Sequence, residues 1–175
     1  MKTVIIVILS LVGVLALLGG VMALIGSRLP VAHIATRSVV LRRPAPEIYK
    51  RLRDVKDMPS WRSDVKSVEL LGDVNGKLNY REQGSQGEVT YELIEDVPDQ
   101  KIVTRIPEQG LGYSGTWTTT LTPEGGGTRV TITENGEVSN VLFRFMSRYV
   151  FGHTSTIDGY LTSLATAFGE TPDLK

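Results

Sequence analysis

The first hydrophobic pattern in the chain has no period at all. "VIIVILSLVGVLALLGGVMALIG", Val4 to Gly26, holds no charge and lies between Lys2 and Arg28. At about 1.5 Å per residue it makes a helix of roughly 34 Å, enough for an apolar layer of about 30 Å. A helix in a globular core would carry a polar stripe, whereas this one offers only Ser10 and four glycines. Residues 1–29 are therefore expected to form a transmembrane anchor, with 30–175 as a single globular domain. The competing reading is a cleaved signal peptide, because Val21-Met22-Ala23 fits the small-residue rule of a cleavage site. Retention is the expectation, since the apolar run continues past that site.

Beyond Pro30 the pattern becomes periodic. Val31 to Leu41 is β-branched, with His33, Ala35, Arg37, Val39 and Leu41 on one alternating face, which predicts a first strand. In "RRPAPEIYKRLRDVKDMPSW", Ile48, Leu52 and Val55 recur at helical spacing, with Pro46 suited to a first turn and Pro59 closing the helix. From Val65 to Val138 the period is two, broken at short intervals by "GDVNG", "GSQG", "PDQ", "PEQGLG" and "PEGGG". Connections this short cannot hold a crossover helix, so the six strands they join form an antiparallel meander. Asn140 to Gly169 returns to helical spacing through Leu142, Met146, Tyr149, His153, Ile157, Tyr160 or Leu161, Leu164 and Phe168, with a break expected between Phe151 and Ser155 near Gly152.

Composition adds exclusions. Hydrophobic content of 41% and charged content of 22% suit a folded domain. There is no cysteine, and the two histidines, His33 and His153, show no metal-ligand spacing, so no metal is expected. Formal charge is zero but uneven, at +6 from Arg28 to Lys56 and −7 from Asp57 to Lys175. The basic part adjoins the apolar segment, where it can meet anionic lipid headgroups. Counting positives after the span against Lys2 favours the cytoplasmic side for a single-pass protein, while a short N-terminus with one lysine also suits the opposite insertion. The slightly acidic body, whose basic residues do not alternate with aromatics, gives nucleic-acid binding no support, and no nucleic-acid partner is expected.

"APEIYKRLRDVKDMPSWRSDVKSVELL" resembles the front of the SRPBCC (START/Bet v 1-like) superfamily: an apolar strand, a helix opening near Ala-Pro-Glu, then Asp, Pro and Trp ahead of a valine-rich strand. "GTWTTTLTPEGGGTRVTIT" and "YLTSLATAFGE" are similar to its late hairpin and the end of its last helix. The resemblance runs over about residues 32–170. It implies an α+β helix-grip fold, in which a curved antiparallel sheet of about seven strands wraps a long C-terminal helix and leaves a deep apolar cavity. It also implies the functions attached to the superfamily's bacterial members, polyketide cyclase/dehydrase activity or lipid transport.

Chemistry is sparsely written. An acid or base needs an inward position where desolvation shifts its pKa, and the candidates are Glu82, Glu95 and His153. Leu78, Tyr80 and Glu82 share one face of the third strand, and Val89, Tyr91, Leu93 and Glu95 one face of the fourth. His33 is expected at a strand edge. Neither GxSxG nor a phosphate-binding glycine fingerprint occurs, and no cofactor is expected. Trp61, Tyr80, Tyr91, Trp117, Phe143, Tyr149, His153 and Tyr160 are the candidate ligand-binding set, and Arg144 and Arg148, four apart, a candidate cationic entrance. These readings favour a membrane-anchored protein that binds or transports a small hydrophobic ligand, lipid-like or quinone-like. The alternatives are a cyclase/dehydratase-type enzyme using Glu82, Glu95 or His153, and a non-catalytic interaction module of a membrane complex.

Overall fold

A computed structural model describes all residues except 1, 75, 76, 86, 109 and 111. The undescribed residues 75, 76, 86, 109 and 111 fall within three of the expected turns. Helix α1, Lys2–Arg28, is long and apolar enough to cross a membrane, and its apolar window is wholly unburied by protein. Strand β1, Ala32–Leu41, comes next, then α2, Ala45–Arg53, a 3₁₀ turn at Val55–Asp57 and the single turn α3, Met58–Trp61. The meander comprises β2 Val65–Val74, β3 Lys77–Gly84, β4 Gly87–Val97, β5 Lys101–Ile106, β6 Tyr113–Glu124 and β7 Gly127–Val138. All seven strands form one antiparallel sheet in the order β1-β7-β6-β5-β4-β3-β2, so β1 closes onto the last strand of the meander.

The β6–β7 hairpin explains the glycine-rich stretch. Gly125 and Gly126 have φ of 59° and 81°, as a two-residue turn with both central residues left-handed requires. Threonines carry the outward face, while Leu121, Val130 and Ile132 are buried beneath.

The last element is α4, Val141–Met146, a π-helical turn at Ser147–Phe151, and α5, Ser155–Ala167. Ile157, Leu161, Leu164 and Ala165 of α5 are fully buried against Val39, Leu41, Val130 and Ile132 of the sheet and Ile48 and Leu52 of α2. At about 25 cal/mol per Å² of apolar area, each such aliphatic side chain contributes about 1.5–3 kcal/mol. The chain end returns to the edge of β1, where Lys175 and Ser38 exchange both backbone hydrogen bonds at 2.8 and 2.9 Å.

The periodic stripe expected along the whole C-terminal segment holds only for α5. Gly152, at φ 78° and ψ 147°, ends the π-turn and turns the chain into α5 along a new direction. Leu142 and Tyr149, placed on the buried stripe by spacing, are 44% and 59% exposed. A helical period extrapolated through a break loses its register.

Candidate functional site: a cavity between the sheet and the last helix

The sheet curls away from α5 and encloses a cavity of about 770 Å³. Its walls are largely aliphatic and aromatic, with scattered hydroxyls such as Thr104, Thr119 and Ser147, and two clusters of ionisable side chains stand in them. The first begins at α3. Arg62 lies just past the single helical turn and is buried against β3, where its guanidinium donates to Glu82 Oε1 at 2.9 Å and to Asp64 Oδ2 at 2.7 Å. The same guanidinium lies 5.0 Å from the centroid of the Tyr160 ring. Burial opposes the charge on Arg62, but the two carboxylates outweigh it and hold the group protonated. Burial pushes the Glu82 carboxyl above its ordinary range, with Arg62 pulling the other way. Tyr80 and Tyr91 stack at 5.2 Å beside this pair, and desolvation raises both phenols, so they stay neutral donors.

The second polar group joins the opposite end of the sheet to the helix break. His33 of β1 and Glu134 of β7 both line the cavity, with His33 Nε2 3.3 Å from Glu134 Oε1. The Glu134 carboxyl is raised by burial against the opposing pull of His33 and of Trp117, its cross-strand neighbour on β6, with a net upward shift. His33 has room because its ring occupies the place where a side chain at Gly136 would stand. His153 stacks on His33 at a centroid distance of 4.3 Å, and its Nδ1 is buried without a hydrogen-bond partner among the described residues. Desolvation, then the nearby His33 and Arg148, lower the pKa of His153. A buried nitrogen left open in a cavity wall is available to a polar atom of a bound molecule.

Of the sequence candidates, Tyr80, Glu82, Tyr91, Trp117, Phe143, His153 and Tyr160 line the cavity. Trp61 does not; it sits behind Tyr160, edge-on at 5.4 Å, and packs into the core. Tyr149 is corrected to the outer surface, against Phe145. Glu95 is exposed and paired with Lys101 at 2.8 Å, because a bulge between Leu93 and Glu95 shifts the alternation that spacing assigned it. Arg144 is no entrance cation: it is buried and donates to the carbonyls of Val138, Leu29 and Ser139 at 3.0, 2.9 and 3.0 Å. Sequence reasoning missed Arg62 and the His33–Glu134 pair. Glu134 was legible, since Val130, Ile132 and Glu134 share an alternating face and Glu134 opposes Trp117. Arg62 lies in an irregular stretch with no period to read.

Residues 32–168 match the family described as "Polyketide cyclase / dehydrase and lipid transport". The chain belongs to that family. Norcoclaurine synthase from Thalictrum flavum superposes with a TM-score of 0.63 at 12% identity, over 80% of this chain and 88% of that one. A START superfamily protein from Mycobacterium smegmatis gives 0.59 at 20% identity, over 78% and 94%. The di-domain ARO/CYC protein StfQ of the steffimycin biosynthetic pathway gives 0.59 at 14% identity over 79% of this chain, which spans about half, 51%, of that chain. At these identities the likeness is one of fold. No curated protein matches the sequence.

Proposed function

We propose that this family member is a membrane-anchored protein that binds and carries a small hydrophobic molecule, lipid-like or quinone-like, within residues 30–175. The observation that carries the reading is the cavity of about 770 Å³, a size that suits a ligand of a few dozen heavy atoms. Two features support it. Two clusters of ionisable side chains stand in a chamber whose walls are mostly apolar, which suits an amphiphile better than a uniformly polar metabolite. Helix α1 meets the length and composition of a membrane span, and anchoring would hold the cavity where apolar ligands concentrate. The body is assigned to the cytoplasmic side on the positive charges that come after α1.

The test is native mass spectrometry of the full chain released from mild detergent after expression in its own host. A bound mass that is extractable into organic solvent is expected. A chain that emerges empty, and that takes up no lipid or quinone when titrated with either, would overturn the reading.

One observation favours a second, enzymatic reading. Glu134, shifted upward, 3.3 Å from His33 and opposite Trp117 in the cavity wall, is placed to move a proton on a cavity-bound substrate of the cyclase/dehydratase kind. It would replace carriage if the bound mass were converted on incubation by the native chain and left unchanged by Glu134→Gln.

A further inference from the structure

We infer that α4 and the π-turn, Val141 to Phe151, form a rim that sits in the apolar boundary of the bilayer, so that the cavity mouth opens toward lipid rather than water. This rests on the reading of α1 as a membrane span.

Depth is the first argument. Gly26 is the last residue of the apolar run, two residues or about 3 Å of helix before Arg28. Helix α4 lies directly on it: a Cβ at Gly26 would collide with the Val141 carbonyl oxygen and stand 3.5 Å from Phe145 Cβ. The level of α4 is therefore the level at which the apolar segment ends. That level is fixed by covalent neighbours of the span. Arg144 of α4 holds Leu29 O, Val138 O and Ser139 O, and Val138 N donates to Val31 O at 2.9 Å. One buried guanidinium thus ties the exit from α1, the end of β7 and α4 into a single joint.

The surface presented at that level is the second argument. Leu142, Phe143, Tyr149, Val150 and Phe151 are between 40% and 59% exposed. From Ser139 to Ile157 the sequence contains no carboxylate, and its exposed charge is Arg148. Adjacent exposed aromatic and aliphatic side chains with a long basic side chain beside them match an interfacial helix, whose apolar face is buried several ångströms into the boundary of headgroups and acyl chains while the cation reaches phosphate. A contiguous patch of this kind facing water would be unfavourable.

The rim is also part of the cavity wall. Phe143, Val150, Phe151, Gly152 and His153 belong to the cavity lining and to the same α4-to-break segment. The side chains that meet the lipid are thus the ones a ligand passes on entry, and the His153–His33 stack follows directly on them in the cavity wall.

The absence of cysteine permits a direct measurement. Leu11→Cys in α1, Leu142→Cys and Phe151→Cys in the rim, and Lys66→Cys on exposed β2 would each carry a nitroxide in the full chain, reconstituted into phosphatidylcholine–phosphatidylglycerol vesicles. Relaxation by oxygen, which concentrates in the apolar layer, is compared with relaxation by a water-soluble nickel chelate. The oxygen-to-nickel ratio at Leu142 and Phe151 is expected to exceed that at Lys66 several-fold and to lie between the values at Lys66 and Leu11. If both rim labels match Lys66 while Leu11 reads as buried in lipid, the anchor stands and the rim is wrong. Rim labels shielded from both reagents would mean that a second copy or another protein covers them, which also overturns the inference. A nickel-accessible Leu11 label would sink the anchor and the rim together.

Discussion

Arg62 and Glu82 meet at 2.9 Å with both side chains less than a tenth exposed, an arrangement whose two charges are costly to separate. Removing one partner of a buried pair strands the other, at about 3–5 kcal/mol, while replacing both by apolar groups of similar volume is often neutral. Arg62→Met is therefore expected to destabilise the chain by about that amount, and Arg62→Met with Glu82→Leu to recover most of the loss. Urea unfolding in detergent of the two single variants and the double one decides it, and additive losses would show that the pair is not coupled. His153 supplies a pH prediction. Its folded pKa is depressed by burial and by the facing His33 and Arg148, so the folded chain binds that proton less readily than the unfolded chain. Above about pH 6.5 the two states are alike; as pH falls below it, the unfolded chain protonates first and stability is lost until the folded group protonates as well. Glu134 and Glu82, both shifted upward, act in the opposite sense, gaining stability as pH falls through their folded pKa values toward about 4.5. The His153 contribution is isolated by His153→Gln, whose melting temperature should fall less steeply below pH 6.5 than that of the native chain, and parallel slopes would refute it. At this scale the sequence disclosed what alternation exposes. Tyr80 and Glu82 were legible because two residues apart on a regular strand is one face. Arg62 was not, because its direction depends on where a single helical turn ends.

Whole elements were legible where their period ran unbroken. The meander, the α2 face through Ile48 and Leu52, and the α5 stripe through Ile157, Leu161 and Leu164 follow the spacing, whereas the helix expected to run on through Val55 to Pro59 stops at Arg53, with Val55 in a 3₁₀ turn and Pro59 in the first turn of α3. The failures share one cause, a local insertion or twist that resets the period: the β4 bulge turned Glu95 out, and the π-turn with Gly152 turned Leu142 and Tyr149 out. The same break distinguishes two glycines on the last segment. Gly152 occupies φ 78° and ψ 147°, a region that side-chain-bearing residues adopt only at about 1–3 kcal/mol, whereas Gly159 is an ordinary helical position inside α5 with open space at its Cβ. Gly152→Ala is expected to cost stability in that range. Gly159→Ala is expected to add up to about 1 kcal/mol by restricting the unfolded chain. Thermal unfolding of both variants checks the pair of signs, and a stabilising Gly152→Ala would show that the break is not held in this conformation.

The molecule as a whole places its apolar core and its apolar cavity side by side between one sheet and one helix, with α5 serving both. A chamber of about 770 Å³ is far larger than the voids that close packing leaves in a protein interior, so its walls forgo contacts that a filled interior would make. A bound apolar molecule restores those contacts, and binding to the folded state alone stabilises it by RT ln(1 + [L]/Kd), about 2.7 kcal/mol at a hundredfold excess over Kd. The chain as isolated with its ligand should therefore melt several degrees above the same chain stripped by detergent exchange, since about 1 kcal/mol corresponds to a few degrees in a domain of this size. Thr104 and Thr119 both line the chamber from the sheet, so Thr104→Trp with Thr119→Trp occupies it with indole in place of ligand. That variant is expected to melt at one temperature whether or not it has been stripped, and to release little organic-extractable mass. If the native chain melts identically before and after stripping, the cavity is not what a ligand stabilises. If the filled variant keeps both its ligand and its stripping-dependent shift, binding takes place outside the sheet–helix chamber.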